Sequence, residues 1–183
     1  MSEGPDRVRL FAALDIPEDV RAELARWSRE EVAALDGLRL VEPESFHVTL
    51  CFLGWREAAD ARRAAAVVER CAGPARGLAL DGAAWFSPRR PRVLSAGVAD
   101  LGGELHALHA RLSGALAEEV GYEPEHRRYN PHVTVARARA ELRRPPAVDP
   151  PAPLAFDGSA VTLYRSHLGR GGARYEPVAR VVV

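Results

Sequence analysis

Two short stretches of the sequence carry the same pattern, a His-Val-Thr triplet followed by an aliphatic residue. They span residues 46–50 and 131–135, one in each half of the chain, and their histidines lie 85 positions apart. Because side chains alternate between the two faces of a strand, each stretch would place its His and Thr on one face and its aliphatic residues on the other. The duplication therefore predicts two facing strands that line one groove with four polar side chains, His47, Thr49, His132 and Thr134.

Length and charge bound the class of protein. A chain of 183 residues is expected to form one compact domain or two small lobes, and we take residues 1–183 as a single bilobal domain in which each lobe contributes one motif. Lys plus Arg equals Asp plus Glu, at 25 each, so net charge argues neither for nor against a nucleic-acid partner.

No apolar run approaches the ~20 residues that cross a bilayer, and residues 1–9 show no apolar signal region. We expect a cytoplasmic protein without a membrane partner, and nothing in the sequence demands a second chain, so a monomer is expected.

The two cysteines form no CxxC unit and indicate reduced thiols. Strict alternation would place Cys51 on the same face as His47 and Thr49. A nucleophilic role for Cys51 is conceivable, but a small buried core residue is the favoured interpretation.

Helical and strand patterns alternate along the chain. Predicted helices cover residues 18–35, 57–71 and 101–120. Predicted strands cover residues 8–14, 38–41, 46–53, 78–81, 83–86, 93–98, 132–136, 154–156, 161–168 and 175–183. Gly54 is expected to stop the first motif strand. The predicted strands follow one another in groups, and three helices separate these groups. This order favours an α+β fold with mainly antiparallel sheet. The glycine-rich dinucleotide and P-loop patterns are absent.

The paired motifs suit chemistry at phosphorus. Imidazole titrates near pH 6.5, so one His can take a proton from water while the other gives one to a leaving oxygen. Thr hydroxyls can donate to non-bridging phosphate oxygens. A strained 2′,3′-cyclic phosphate fits, because its opening needs only a water, a base and an acid. A single His-x-Thr on a strand is usually structural, and it is the duplication that favours a catalytic site. A non-catalytic nucleotide-binding groove and a metallohydrolase using His47, His132 and an acid remain alternatives.

The sequence resembles the two-histidine phosphoesterase superfamily and, within it, the RNA 2′,3′-cyclic phosphodiesterases, also called 2′-5′ RNA ligases. The resemblance rests on the paired motifs, FHVTLCFLG and PHVTVAR, and on three flanking stretches, RLFAALDIP, LYRS and GARYEP. It covers nearly the whole chain. It implies a bilobal fold with two mainly antiparallel sheets, pseudo-twofold symmetry around a central groove, and helices on the outside.

The resemblance also implies an activity, the hydrolysis of 2′,3′-cyclic phosphate ends of RNA or nucleotides to 2′-phosphates. No metal or other cofactor is expected, and weak reversible 2′-5′ ligation is implied as well. His47 would be the general acid and His132 the general base, although the symmetric motifs allow the reverse. Thr49, Thr134 and Arg137 would hold the phosphate.

Further candidates lie around the motifs. By the resemblance Phe11 lines a nucleoside pocket. Tyr164 could stack on a base, or simply pack in its strand, and Arg174 could contribute to a basic rim. The loop at residues 126–128 is either an RNA-phosphate contact or a solvated loop, and residues 87–91 are expected to influence substrate choice. A solvated helix face is the favoured interpretation of His106 and His109.

Overall fold

Nine strands and three α-helices alternate in the computed structural model, whose described residues are 7–86, 92–139, 145–169 and 172–183. The strands are β1 (Arg7–Asp15), β2 (Leu38–Leu40), β3 (His47–Glu57), β4 (Leu78–Phe86), β5 (Val93–Asp100), β6 (His132–Ala138), β7 (Ala155–Phe156), β8 (Ala160–Gly169) and β9 (Gly172–Val182). The helices are α1 (Glu18–Trp27), α2 (Ala58–Cys71) and α3 (Glu104–Val120). One π-helical turn, Ser28–Val32, extends α1, and a 3-10 turn, Pro43–Ser45, precedes β3.

The strands form one antiparallel path in the order β7-β4-β5-β6-β3-β1-β8-β9, with β2 added to β6. Four strands of the path lie on each side of the junction between β6 and β3. The two sheets expected from the family resemblance are therefore the two halves of this path. They are joined at a single described pair, Val48 with Val133. The predicted α+β class with antiparallel sheet is confirmed.

This junction is also the centre of the local symmetry. The paired residues are the middle residues of the two His-Val-Thr triplets. In antiparallel geometry the flanking neighbours are then His47 with Thr134 and Thr49 with His132. Beyond the junction β6 pairs with β2 instead, through residues Leu38–Leu40. Because β3 and β6 separate after one pair, a groove can open between them.

The helices cover the apolar face of the sheet. The predicted stripe of α3 is confirmed, because Leu105, Leu108, Leu112 and Leu116 are all fully buried. Gly121 ends α3 in the left-handed conformation at φ 62°, as expected of a C-terminal glycine. Helix α2 packs against α3 and against β1, β8 and β9. No helix in the described ranges combines the length and apolar character that a membrane-spanning helix needs.

Three elements differ most from the sequence prediction. Gly54 does not stop β3, because it adopts φ 69° within the strand and β3 runs on to Glu57 beside β1. The two short strands predicted at 78–81 and 83–86 are one strand, interrupted by a register shift where Gly82 has φ 73°. The first helix is α-helical only to Trp27. The expectation for residues 87–91 lies outside the described residues.

Candidate active site

Each motif strand contains an irregularity immediately after its threonine. In β3, Cys51 pairs with Ala12 but Thr49 pairs with Ala13, so Leu50 is an extra residue in the ladder. In β6, Ala136 pairs with Leu94 but Thr134 pairs with Ser95, so the residue between them, Val135, is extra in the same way. Such a bulge shifts the alternation of side chains by one residue.

The bulges change which side chains face the groove. Cys51 is fully buried, and Phe52 is exposed in its place. In the second motif Ala136 is buried and Arg137 is exposed. The prediction that Cys51 shares a face with His47 is therefore wrong, because the bulge at Leu50 turns the thiol into the core. Burial also raises the pKa of Cys51 to about 12, which removes the thiolate that a nucleophilic role would need.

Both histidines are held by the same backbone contact. The Nδ1 atom of His47 lies 2.8 Å from the carbonyl oxygen of Ser45, and that of His132 lies 2.7 Å from the carbonyl oxygen of Asn130. A carbonyl oxygen only accepts, so Nδ1 carries the hydrogen in both rings and the neutral imidazole keeps its lone pair on Nε2. The Nε2 atom of His47 lies 3.1 Å from Thr49 Oγ1, which donates to it in the neutral ring. Each imidazole therefore has Nδ1 fixed by the backbone, and proton transfer is left to Nε2, which in His47 also accepts from Thr49.

Aromatic rings pack against both imidazoles. The ring centroid of His47 is 4.9 Å from Phe11, 5.4 Å from Tyr175 and 6.3 Å from Tyr164. The centroid of His132 is 4.2 Å from Phe86. These contacts exclude water from one side of each ring, which makes it costly to charge the ring.

The pKa of both histidines is lowered as a result. Burial lowers the pKa of His47 to about 4, and the positive charges of Arg137 and His132 add to this, while the Ser45 carbonyl and Asp15 act in the opposite direction. Burial also lowers the pKa of His132, partly offset by the Asn130 carbonyl. Both rings are therefore neutral at pH 7 in the free protein.

Two cavities of similar size meet at the motifs. The first, of about 620 Å³, contacts His47, and the second, of about 580 Å³, contacts His132. Four residues line both cavities and form the floor between them; they are Thr49, Phe52, Thr134 and Arg137. The floor is thus made of the two motif threonines and of the two residues that the bulges turn outwards. It brings together the polar residues of both motifs, as the sequence predicted.

The other predicted site residues lie on the His47 side. Phe11 lines the first cavity but is only 4% exposed, and it stacks on Tyr164 at 5.3 Å between ring centroids. The Tyr164 hydroxyl donates to Asp15 at 2.8 Å. Tyr164 and Arg174 line a smaller neighbouring cavity, whereas Tyr175 lines both that cavity and the first. The structure therefore brings Phe11 next to His47 and leaves Tyr164 and Arg174 at the margin.

The carboxylate of Asp15 supports the aromatic rings that surround His47. Asp15 is buried and accepts hydrogen bonds from Thr162 Oγ1 at 2.9 Å and from the Tyr164 hydroxyl at 2.8 Å. Arg180 donates to it at 3.2 Å. Three donors satisfy one carboxylate, so Asp15 connects β1 to β8 and β9 beneath the His47 ring.

Sequence reasoning missed two residues near the motifs. Phe86 lies at the end of β4 and contacts His132. The Tyr129 hydroxyl donates to the backbone carbonyl of Thr49 at 3.0 Å. The helix face expected to be solvated is only partly exposed at both histidines of α3, because each ring also contacts another side chain. The ring of His109 stacks on Tyr129 at 3.9 Å, and His106 bonds to Asp100. No local pattern signals the contacts of Phe86, Tyr129 and His109, because they join residues that are distant in sequence.

The described residues contain no group of three or more His, Cys, Asp or Glu side chains arranged to hold a metal ion. The third ligand that the metallohydrolase alternative requires beside His47 and His132 is thus not found in that part of the chain.

Comparisons with known proteins agree with this geometry. A family model described as the 2′-5′ RNA ligase superfamily matches residues 16–170. The RNA 2′,3′-cyclic phosphodiesterase of Escherichia coli K12 is 31% identical over 176 residues, which cover 94% of this chain and 94% of that protein. The protein of the same name from Aeropyrum pernix is 31% identical over 155 residues, covering 79% of this chain and 85% of that one.

Solved structures show the same fold. The chain superposes on the protein TT0787 of Thermus thermophilus with a TM-score of 0.80 and 28% identity, covering 95% of this chain and 97% of that one. It superposes on E. coli LigT complexed with 3′-AMP with a TM-score of 0.81 and 26% identity, covering 97% and 99%.

Proposed function

Because the chain belongs to the 2′-5′ RNA ligase superfamily, we propose that it hydrolyses the 2′,3′-cyclic phosphate ends of RNA or of nucleotides to 2′-phosphates. The enzyme is accordingly a phosphodiesterase, like the relatives that carry this name. One observation carries the proposal. Two histidines with the same Nδ1-to-carbonyl contact lie beside two threonine hydroxyls at the junction of two cavities.

The reaction follows from these positions. Phosphate oxygens accept hydrogen bonds from Thr49 and Thr134, and the guanidinium of Arg137 offsets their charge. The lone pair on Nε2 of His132 takes a proton from water, whose oxygen then attacks phosphorus. The bond from phosphorus to the 3′ oxygen breaks, and that oxygen takes a proton from Nε2 of His47. The 2′-phosphate is left.

No step in this scheme requires a metal ion or cofactor. Run with a 5′ hydroxyl in place of water, the same steps join two RNA ends through a 2′-5′ bond, and we include weak reversible ligation in the proposal.

The nucleoside that carries the cyclic phosphate is assigned to the first cavity. That cavity contains Phe11 and Tyr175 beside His47 and is bounded by Arg9 and Arg39. Tyr164 and Arg174 belong to the adjoining rim, where they would contact more distant parts of an RNA strand. Because Phe11 is almost fully buried, its role is to support the imidazole more than to offer a stacking face.

We further propose that the two halves act as one bilobal domain, that the protein is a monomer, and that it works in the cytoplasm. The single sheet path supports the first of these statements. Cys51 and Cys71 are both free and buried, which agrees with a reducing compartment.

The test is hydrolysis of a 2′,3′-cyclic mononucleotide in EDTA, with identification of the product isomer. We expect turnover to the 2′-phosphate. His47→Ala and His132→Ala should each lower kcat by about 10²–10⁴-fold, the contribution of one general acid or base. His167→Ala is the matched control, because His167 pairs with Glu176 and neither residue lines either of the two cavities.

Three outcomes would contradict parts of the proposal. Turnover that survives either histidine substitution would overturn the two-histidine mechanism. Complete loss of activity in EDTA would support the metallohydrolase alternative. Tight binding of the cyclic nucleotide without turnover would support a binding protein built on the same groove.

A further inference from the structure

Most of the second cavity is not needed for the hydrolysis of a cyclic mononucleotide. That reaction requires a place for one nucleoside, which the first cavity supplies, and a place for one water beside His132, which fills only a small part of the second cavity. The second cavity is nonetheless almost as large, at about 580 Å³ against about 620 Å³. Both volumes fall within the ~300–1,000 Å³ that is typical of small-molecule sites. A second occupant of nucleotide size therefore fits beside His132.

The position of the cavity defines which part of RNA it could hold. A phosphodiester has two ester oxygens, and each can carry a nucleoside. When the phosphate lies on the floor, one of these ester groups is directed towards each cavity. In the proposed reaction His132 activates the attacking oxygen, which is a water oxygen in hydrolysis and a 5′ oxygen in ligation. The cavity that contains His132 is thus on the side of the 5′ oxygen.

One wall of the second cavity is aromatic and rigidly placed. The rings of His109 and Tyr129 stack with centroids 3.9 Å apart and planes 2° apart. The Tyr129 hydroxyl donates to the Thr49 carbonyl at 3.0 Å, so this wall is tied to the first motif strand. A flat imidazole–phenol pair beside a phosphate site suits a nucleobase, because every base has a π-face.

A second wall is basic. Arg127 and Arg128 both line the cavity, next to the aromatic pair. Arg127 forms an ion pair with Glu125, which reduces its net charge at this wall. Arg128 is exposed and lines the same space. A guanidinium at this place can hold a phosphate on the far side of the second nucleoside.

We propose that the cavity beside His132 is a binding subsite for the nucleotide attached through its 5′ oxygen, with His109 and Tyr129 against the base and Arg128 near its next phosphate. This inference rests on the proposed function, because it uses the direction of attack assigned to His132. It deepens that function by making a 2′-5′-linked dinucleotide, and not a mononucleotide, the ligand that fills the whole site. Occupancy involves no redox or metal chemistry.

The experiment measures how much the second nucleotide adds to binding. Inhibition of cyclic mononucleotide hydrolysis is compared for a nucleoside 2′-monophosphate and for a 2′-5′-linked dinucleotide with a terminal 3′-phosphate. The readout is the ratio of their two inhibition constants, so that any general effect of a substitution cancels. We expect the dinucleotide to bind about tenfold more tightly or better, as one stacked base contributes. We expect the double variant His109→Ala, Arg128→Gln to bring the ratio close to one.

Matched controls and a second ligand locate the site. Arg62→Gln and His167→Ala remove the same side-chain types outside both cavities and should leave the ratio at the wild-type value. A second dinucleotide carries its extra nucleotide on the 5′ side of the nucleoside that bears the 2′-phosphate. Its inhibition constant should be the same for the double variant as for the wild type. If the double variant weakens that ligand instead, the cavity holds the upstream strand and the proposal is wrong. A ratio near one in the wild type, or an unchanged ratio in the double variant, also overturns it.

Failure of the subsite proposal can be told apart from failure of the proposed function. If the wild-type protein does not hydrolyse the cyclic mononucleotide, the same two ligands are titrated calorimetrically. The ratio of their dissociation constants then tests the subsite without any turnover.

Discussion

The pKa of His47 should depend strongly on whether the groove holds a phosphate. In the free protein burial lowers this pKa to about 4. At pH 7 only about one molecule in 10³ then carries a protonated His47, since each unit of pKa is a factor of ten. A general acid with this pKa would be almost wholly in the wrong protonation state. In the proposed mechanism the substrate itself supplies the charge that allows His47 to be protonated.

The magnitude can be worked from simple electrostatics. A phosphodiester brings one negative charge. Two unit charges about 4 Å apart interact with about 4 kcal/mol at an effective dielectric constant of ~20. At about 1.4 kcal/mol per pKa unit this is a shift of about three units. The pKa of His47 in the complex is thus expected near 7, where a general acid is most effective.

Steady-state kinetics separate the two states. The pH dependence of kcat/KM reports the free enzyme, and that of kcat reports the complex. Because burial lowers the pKa of both His47 and His132, kcat/KM should already decline above about pH 6.5. The alkaline limb of kcat should lie at a higher pH than that of kcat/KM, near the pKa of about 7 expected for His47 in the complex. Coincident limbs would refute this coupling between phosphate and His47, as would a profile that is flat from pH 5 to 9.

A direct titration provides the independent check. The His47 imidazole, followed by NMR, should titrate below pH 5 in the free protein and near pH 7 with the 2′-phosphate product bound. Arg137→Gln removes a positive charge that lowers the pKa of both site histidines. In the free variant both pKa values should therefore rise. A His47 pKa at or above 6.5 in the free wild type would show that the aromatic contacts do not exclude water as inferred.

Four further predictions concern stability and are measured by urea unfolding. Asp15→Ala should lower the free energy of unfolding by about 2–3 kcal/mol, because three hydrogen-bond donors lose their shared acceptor; an effect below about 0.5 kcal/mol would contradict its structural role. Gly97→Ala should cost about 1–3 kcal/mol, since its Cβ would lie 2.1 Å from the carbonyl oxygen of Asp81. Gly114→Ala, with nothing within 4 Å in helix α3, should instead stabilise by about 1 kcal/mol. Because the pKa of His47 is lower in the folded than in the unfolded chain, the unfolded chain binds the proton first, and stability should fall by up to about 3 kcal/mol as pH drops from 6.5 to about 4. In His47→Gln this loss should be correspondingly smaller, and an unchanged slope would count against the lowered pKa.

The sequence predicted the class of fold and the adjacency of the two motif strands. The duplicated triplet identified both motif strands and the side of each that carries His and Thr, and the expected stripe of α3 is buried as predicted. The family resemblance is confirmed by the match over residues 16–170. These features depend on local periodicity or on residue identity, both of which can be inspected in one sequence.

Contacts between segments that are distant in sequence could not be predicted from local periodicity or residue identity. The stack of His109 on Tyr129 joins α3 to a loop, and no spacing rule connects the two positions. Gly54 was expected to stop β3, but a glycine with positive φ also allows a strand to continue through an irregular register. Whether the strand stops or continues at Gly54 depends on whether a partner strand, here β1, lies beside it. The tertiary structure decides this, and the local sequence does not.

The two bulges show most clearly why periodicity alone could not build the site. Strict alternation puts Arg137, five residues after His132, on the core face with Val133 and Val135. The extra residue at Val135 reverses this and turns the guanidinium towards the groove. In the first motif the same reversal brings out Phe52, at the matching position. The floor of the groove is therefore symmetric in backbone but carries a cation on one side and an aromatic ring on the other.

The difference between the two histidines must arise outside the triplets, since the triplets are identical. Within the described residues, three aromatic rings surround His47 within 6.3 Å between centroids, whereas Phe86 alone contacts His132. The Thr49 hydroxyl also occupies Nε2 of His47, while Nδ1 of each ring makes the same backbone contact. His132 thus has the lone pair with fewer contacts, which suits the proposed general base, and the aromatic rings around His47 suit a group that becomes charged when a phosphate enters. We base the proposed assignment of base and acid on this asymmetry of surroundings, because the shared motif does not distinguish the two histidines.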